Sequence, residues 1–332
     1  MHSPFSRRAI FALAAAIAVA GAPAAFAQTA SKPLTPVSFR LDWKPGGQHA
    51  PFYLGKDRGF YAAEGIDLTI ISGSGSADSA KQLGAGAVDL ALVDALVLVQ
   101  AAEQKVPVKS VAAYYQRTPI VLISPKTKPL TSPQQLTSGA KIGSKRASST
   151  SQGLTALLAV NKIDPKRVNV VDIGFGVQPL LVGQVDALMG FTMNEAIEAE
   201  SAGMPVVEMM IANQGVVAYG LTIASGDKFL KAQPEIVRAF LRATRKSIEA
   251  SAADSAAAVQ SVGKSVSELD VAREAKVLQK TLPFWSAQGK TLASFGTQSP
   301  ADWQQTIDTA KRVGLVEAAP AVTDVLATGF MQ

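Results

Sequence analysis

The chain has no cysteine among its 332 residues. Disulfides, thiolate zinc sites, iron–sulfur clusters, cysteine nucleophiles and a lipid-modified cysteine are excluded together. Histidine is nearly missing as well: there are only His2 and His49. A histidine-based triad or a multi-histidine metal site therefore has one candidate member in the body of the chain. No metal centre and no cofactor are expected. Charged residues make up only 17% and aromatics 6%. The formal net charge of +6 is modest, and Arg7 and Arg8 at the extreme start supply part of it. No dense Lys/Arg run interleaved with aromatics occurs, so a nucleic-acid interface is not expected. The hydrophobic fraction of 48% is enough to bury large cores, and the length fits two ordinary domains.

Residues 1 to 27 have the layout of a signal peptide. Arg7 and Arg8 form a basic start, Ile10 to Ala20 an apolar run, and Ala25-Phe26-Ala27 a small-x-small cleavage site. The run is too short for a permanent membrane anchor. Ser6-Arg7-Arg8-Ala9-Ile10-Phe11 also fits a twin-arginine signal, and both export routes stay open. A periplasmic protein cleaved near Ala27, monomeric and without stable membrane insertion, is the expectation.

Beyond that segment the chain alternates short strands and helices. Val37 to Leu41, Asp67 to Ile71, Val88 to Val93, Val108 to Ala113 and Ile120 to Ile123 read as strands, with helices between them from Pro51, Ser76 and Asp94. A second unit repeats the rhythm from Lys141 to Met209, and long helices follow from Pro234. The βαβα order predicts an α/β fold with largely parallel sheets. Leu83-Gly84-Ala85-Gly86-Ala87-Val88-Asp89 and Leu180-Leu181-Val182-Gly183-Gln184-Val185-Asp186 share the pattern L-x-x-G-x-V-D at comparable places in the two units. The expected organisation is lobe one from 37–123 and 217–332, interrupted by lobe two at 124–216. The chain then crosses near Ser124 and returns near Val216, which makes a hinge and a ligand cleft between the lobes.

Ligands of open α/β sheets sit beyond the carboxyl ends of strands. The first strand runs into Asp42, Trp43 and His49: a carboxylate acceptor, a flat indole and the remaining imidazole. Ser74, Gly75 and Ser76 open one helix, and Ser148, Ser149 and Thr150 open another, so both offer backbone N–H groups and hydroxyls to an oxygen or anion. Tyr114, Tyr115, Phe175, Gln178, Asn194, Glu195 and Tyr219 also fall near expected strand ends and complete the candidate ligand contacts. No catalytic residue is assigned.

Leu41-Asp42-Trp43-x-Pro45 with His49, followed by Tyr53-x-Gly55-Lys56-Asp57-x-Gly59-Phe60-Tyr61-x-x-Glu64-Gly65-Ile66, resembles the family of thiamine-pyrimidine-precursor and sulfonate-type solute-binding proteins of ABC importers. That family is related to the fungal thiamine-pyrimidine synthase. The resemblance runs from about Val37 to Tyr115 and less densely to about Ala224. It implies a type II periplasmic-binding-protein fold whose two α/β lobes close on a small molecule, with a membrane permease as partner. Gly46 stands where the pyrimidine-binding branch usually has asparagine. Glu195 matches that branch, but the residues before it are less aromatic. The expected function is capture of a small planar heteroaromatic ligand, pyrimidine-precursor-like or flavin-like. The alternatives are capture of an organic anion, such as a sulfonate or aromatic carboxylate, and a pyrimidine-synthase-like enzyme, which the lack of cysteine disfavours.

Overall fold

Alternation of Val37 and Phe39 with Ser38 and Arg40 makes one face of the first strand apolar and buried. A computed structural model describes residues 33–331, apart from Ala147, Phe175 and Gln288. The expected signal peptide lies outside the described residues. Ten strands are present among them: β1 (Thr35–Arg40), β2 (Ile66–Ile71), β3 (Leu90–Asp94), β4 (Val108–Ala113), β5 (Ile120–Pro125), β6 (Lys141–Ser144), β7 (Asn169–Asp172), β8 (Ala187–Phe191), β9 (Val206–Met210) and β10 (Leu221–Gly226). They form two five-stranded sheets, ordered β2-β1-β3-β10-β4 and β7-β6-β8-β5-β9.

The two orders are the same order. β1 pairs in parallel with β2 and β3, and β6 pairs in parallel with β7 and β8. Each sheet carries one antiparallel strand beside its parallel core: β10 lies between β3 and β4, and β5 lies between β8 and β9. β5 and β10 are the strands that the chain enters directly after each passage between sheets. Residues 114–119 make the first passage and residues 211–220 the second. This corrects the expected crossing near Ser124. Ile120 to Ile123 pair with β8 and belong to the second sheet, because a strand entering from the other sheet slots in antiparallel and leaves no local mark in the sequence.

The repeated L-x-x-G-x-V-D pattern has one physical meaning in both sheets. Gly86 and Gly183 turn the chain with φ of 70° and 71°, a conformation that costs glycine little. The aspartate three residues on then ties the incoming strand to its neighbour. Asp89 accepts the Ser38 N–H at 2.8 Å and the Ser38 hydroxyl at 2.7 Å. Asp186 accepts the Lys141 N–H at 2.8 Å. The strands so joined, β1 with β3 and β6 with β8, occupy equivalent places.

Helices cover both sheets. Helix Pro234–Ala253 stops at Asp254, whose side chain caps the next helix, Ser255–Ser265. The large core of the first sheet is rich in rings: Phe39 packs tilted against Phe52 at 4.4 Å between centroids, and Phe52 stacks on Tyr114 at 5.3 Å. Among the described residues no helix is long and apolar enough to cross a membrane.

Candidate functional site

The parallel strands of both sheets end around one cavity of about 280 Å³. The loops after β1, β2, β6 and β7 line it, together with β8 and its continuation. From the first sheet come Asp42 and Trp43, then Ser74, Gly75 and Ser76. From the second come Ser148, Ser149 and Thr150, then Asn194 and Glu195. The sequence expectations for these ten residues therefore converge on one place. Ala77, Asp78, Lys145, Ile173, Gly174, Gly176, Met189 and Phe191 complete the lining and were not anticipated. Asp78 lies in the first turn of the helix that Ser76 opens, Lys145 lies in the loop before Ser148, and Phe191 ends a strand beside the expected Asn194 and Glu195. Strand ends, rather than residue type, are the signal that would have found them.

The first wall is built by two loops bonded to each other. The Gly75 N–H donates to the Asp42 carbonyl at 2.8 Å and the Gly73 N–H to the Trp43 carbonyl at 3.0 Å. The contact is so close that a Cβ on Gly73 would stand 2.0 Å from the Leu41 carbonyl oxygen. The Asp42 carboxylate is fixed from behind: His49 Nε2 donates to its Oδ1 at 2.8 Å. Next to it, the Ser74 hydroxyl donates to Asp78 at 2.8 Å and Arg40 does so at 2.5 Å. The Ser74 bond first, with Gln82 and Arg40 adding, holds the Asp78 carboxyl below its usual pKa. Ser76 serves the framework by accepting the Asp94 N–H at 3.0 Å. Asp94 is 1% exposed and caps the following helix through the Leu96 N–H at 3.0 Å. Burial first, with the Asp42 charge adding, pushes its pKa up to about 7.

The second wall is built by β8 and the start of helix Ser149–Val160. Ser148 caps that helix, accepting the Ser151 N–H at 3.2 Å, and its hydroxyl lies 2.8 Å from that of Thr150. Glu195 turns back to accept the Phe191 N–H at 2.8 Å. Its side chain packs against Gly190, where an added Cβ would lie 2.8 Å from the Glu195 Cβ. Burial raises the Glu195 pKa to about 7, with nearby Glu198 adding to the effect.

Five expected contacts fall elsewhere. His49 has no exposed surface and stands behind Asp42. Tyr114 and Tyr115 are fully buried in the ring cluster, and the Tyr114 hydroxyl donates to the Gln48 carbonyl at 2.6 Å. They follow β4, the edge strand of the first sheet, while the cavity gathers around the other side of that sheet. Tyr219 packs on Trp303 with centroids 5.5 Å apart and donates to Asp302 at 3.1 Å, on a helix that sheathes the returning passage. Gln178 starts a short helix with its side chain exposed, away from the lining. Phe175 lies outside the described residues.

Among the described residues the cavity thus offers an indole, a phenyl ring, three carboxyl groups, a lysine and several hydroxyls. This set can stack on a flat ring and accept its N–H or O–H groups. Among the described residues no group of three His, Cys, Asp or Glu could hold a metal ion.

Comparison with known proteins adds family and fold. The chain is 27% identical over 321 residues to the riboflavin-binding protein RibY of Chloroflexus aurantiacus, covering 94% of this chain and 91% of that protein. It is 26% identical over 230 residues to the 4-amino-5-hydroxymethyl-2-methylpyrimidine phosphate synthase THI12 of Saccharomyces cerevisiae, covering 66% of this chain and 67% of that one. The alkanesulfonate-binding protein SsuA of Xanthomonas axonopodis pv. citri, solved with MOPS bound, superposes with a TM-score of 0.68 at 15% identity, covering 89% of this chain and 99% of that chain. The fold is that of the periplasmic binding proteins, two mixed sheets covered by helices, as the sequence resemblance implied. The NMT1/THI5 like family model matches residues 47–258, and the chain belongs to that family.

Proposed function

We propose that this protein is the periplasmic solute-binding component of an ABC importer, and that it captures a small planar heteroaromatic molecule in the cavity between its two sheets. One observation carries the reading: Trp43 and Glu195 come from different sheets and line the same cavity. An indole face on one wall and a carboxyl on the other suit a flat ring with N–H groups at its edge. Asp42, Phe191 and the hydroxyls of Ser74 and Ser149 supply the remaining contacts. The two sheets act as lobes, with residues 114–119 and 211–220 as the hinge, and closure on ligand shifts the population toward the form that a membrane permease recognises. The protein works by binding alone, after export and removal of its signal peptide. RibY, whose name gives riboflavin as its ligand, matches nearly the whole chain and supports the flavin-like end of this class.

A second reading has one observation in its favour. Two helices, Ser76–Gly84 and Ser149–Val160, start at the cavity beside Lys145, an arrangement suited to a sulfonate or carboxylate. Asp42 and Asp78 in the same lining repel an anion. A thermal-shift screen of the mature protein separates the two. Riboflavin and 4-amino-5-hydroxymethyl-2-methylpyrimidine represent the first class and MOPS the second, each tested on the parent and on Trp43→Ala. A ligand specific for the folded state raises Tm by mass action. The proposal expects a heteroaromatic to do so in the parent and not in the variant. A shift by MOPS alone, equal in both proteins, would overturn it.

A further inference from the structure

Helix Val271–Thr281 braces both walls of the cavity from outside its lining. In its first turn Glu274, 4% exposed, accepts the Gly47 N–H at 2.5 Å. Gly47 belongs to the loop that presents Asp42 and Trp43. The other oxygen of Glu274 takes the Arg273 guanidinium at 2.7 Å, so the carboxylate is both paired and hydrogen-bonded, as a buried charge requires. In the last turn Lys280 pairs with Glu208 on β9, and the second oxygen of Glu208 accepts the hydroxyl of Thr192. Thr192 is 3% exposed and directly follows Phe191, whose N–H is held by Glu195. One rigid helix therefore reaches the Asp42–Trp43 wall at one end and the Phe191–Glu195 wall at the other. The helix also lies beyond the stretch that the family model covers.

The Lys280–Glu208 pair is partly open to solvent, with side chains 30% and 24% exposed, and an isolated pair of that kind contributes little to stability. Its effect is on geometry. Glu208 accepts from two donors, Thr192 beside it in the second sheet and Lys280 on the helix whose other end holds Gly47, so the pair ties the second wall to a helix anchored at the first.

We propose that Lys280 and Glu208 are positioning residues that set the spacing between the two walls of the cavity without touching what it holds. The consequence for ligand capture rests on the function proposed above; the spacing itself can be measured without ligand. The lack of cysteine makes this direct: Lys81→Cys and Thr155→Cys place spin labels at exposed positions on helices that begin at opposite walls. Pulsed dipolar spectroscopy then reads the distance distribution between them. The expected result is a single narrow component in the parent and in Lys280→Arg, which keeps the cation. Lys280→Met and Glu208→Gln each add a component at longer distance, with the folded circular dichroism spectrum retained. Identical distributions in the parent, Lys280→Met and Glu208→Gln would overturn the proposal. A parent distribution that no heteroaromatic or sulfonate probe alters would strike the proposed closure on ligand instead, leaving the spacing role standing.

Discussion

His49 Nε2 lies 2.8 Å from Asp42 Oδ1, and the two residues divide a task by depth: the imidazole has no exposed surface, while the carboxylate keeps 14% at the cavity. The histidine holds one carboxylate oxygen of a residue that lines the cavity, which leaves the other oxygen free of that bond. Replacing His49 by alanine removes a buried ring and strands an acceptor. The expected cost is about 2–4 kcal/mol of folding stability. His49→Gln keeps an N–H donor near the same place and loses roughly half as much. Urea unfolding at neutral pH checks both values, with the m-value unchanged if only stability has moved.

Gly73 is where the two loops of the first wall touch. An added Cβ would lie 2.0 Å from the Leu41 carbonyl oxygen and 2.5 Å from the Asp42 carbonyl carbon. Both obstacles are backbone and neither can rotate away, so Gly73→Ala is expected to cost about 1–3 kcal/mol. Gly263 is the contrast: it sits within a helix, and its added Cβ meets only a Val271 methyl at 3.8 Å. Gly263→Ala is expected to stabilise by roughly 0.5–1 kcal/mol through helix propensity. Opposite signs in the two unfolding curves are the expected outcome.

Asp94 and Glu195 both have pKa values pushed up to about 7 by burial. In the unfolded chain such carboxyls titrate near 4. The folded state therefore holds protons on these two groups that the unfolded state has released, and their contribution to stability falls as pH rises from about 4 through about 7, then levels off. Asp94→Asn keeps the oxygen that caps the Leu96 N–H and removes the charge. It is expected to flatten part of this fall and to raise stability at pH 8 by about 2–3 kcal/mol. Unfolding free energies measured across pH 4 to 8 on the parent and the variant read the difference. Parallel curves would contradict it.

Three tryptophans report on different places. Trp285 and Trp303 have no exposed surface, whereas Trp43 is half-buried at the cavity. The acrylamide-accessible part of the emission is therefore expected to come from Trp43. Trp43→Phe removes that part and shifts the remaining emission to the blue. Equal quenching of parent and variant would place the indole elsewhere.

Much of the cavity lining could be read in the sequence because its parts are local. Asp42 and Trp43 follow a strand, and Ser74 to Ser76 and Ser148 to Thr150 start helices; each feature sits within a few residues of its structural cause. The L-x-x-G-x-V-D repeat was legible for the same reason, although its aspartates act at long range, on Ser38 and Lys141. What could not be read was strand order. Tyr114 and Tyr115 end a strand as surely as Asp42 does, but β4 is a sheet edge covered by rings, so they are core. Ile120 to Ile123 look like a continuation of the first unit until their pairing with β8 is known. His49 was expected as a ligand contact, and only burial reveals that it serves Asp42 from behind.

The most direct test of the account is a calorimetric titration of three proteins, the parent, Trp43→Ala and Glu195→Gln, with riboflavin, 4-amino-5-hydroxymethyl-2-methylpyrimidine and MOPS. The account predicts that at least one of the two heteroaromatics binds the parent with one-to-one stoichiometry. Each variant should weaken that binding by about tenfold or more, on the order of 1.4 kcal/mol. Binding of MOPS alone, with the same Kd in all three proteins, would contradict the heteroaromatic cavity at its centre.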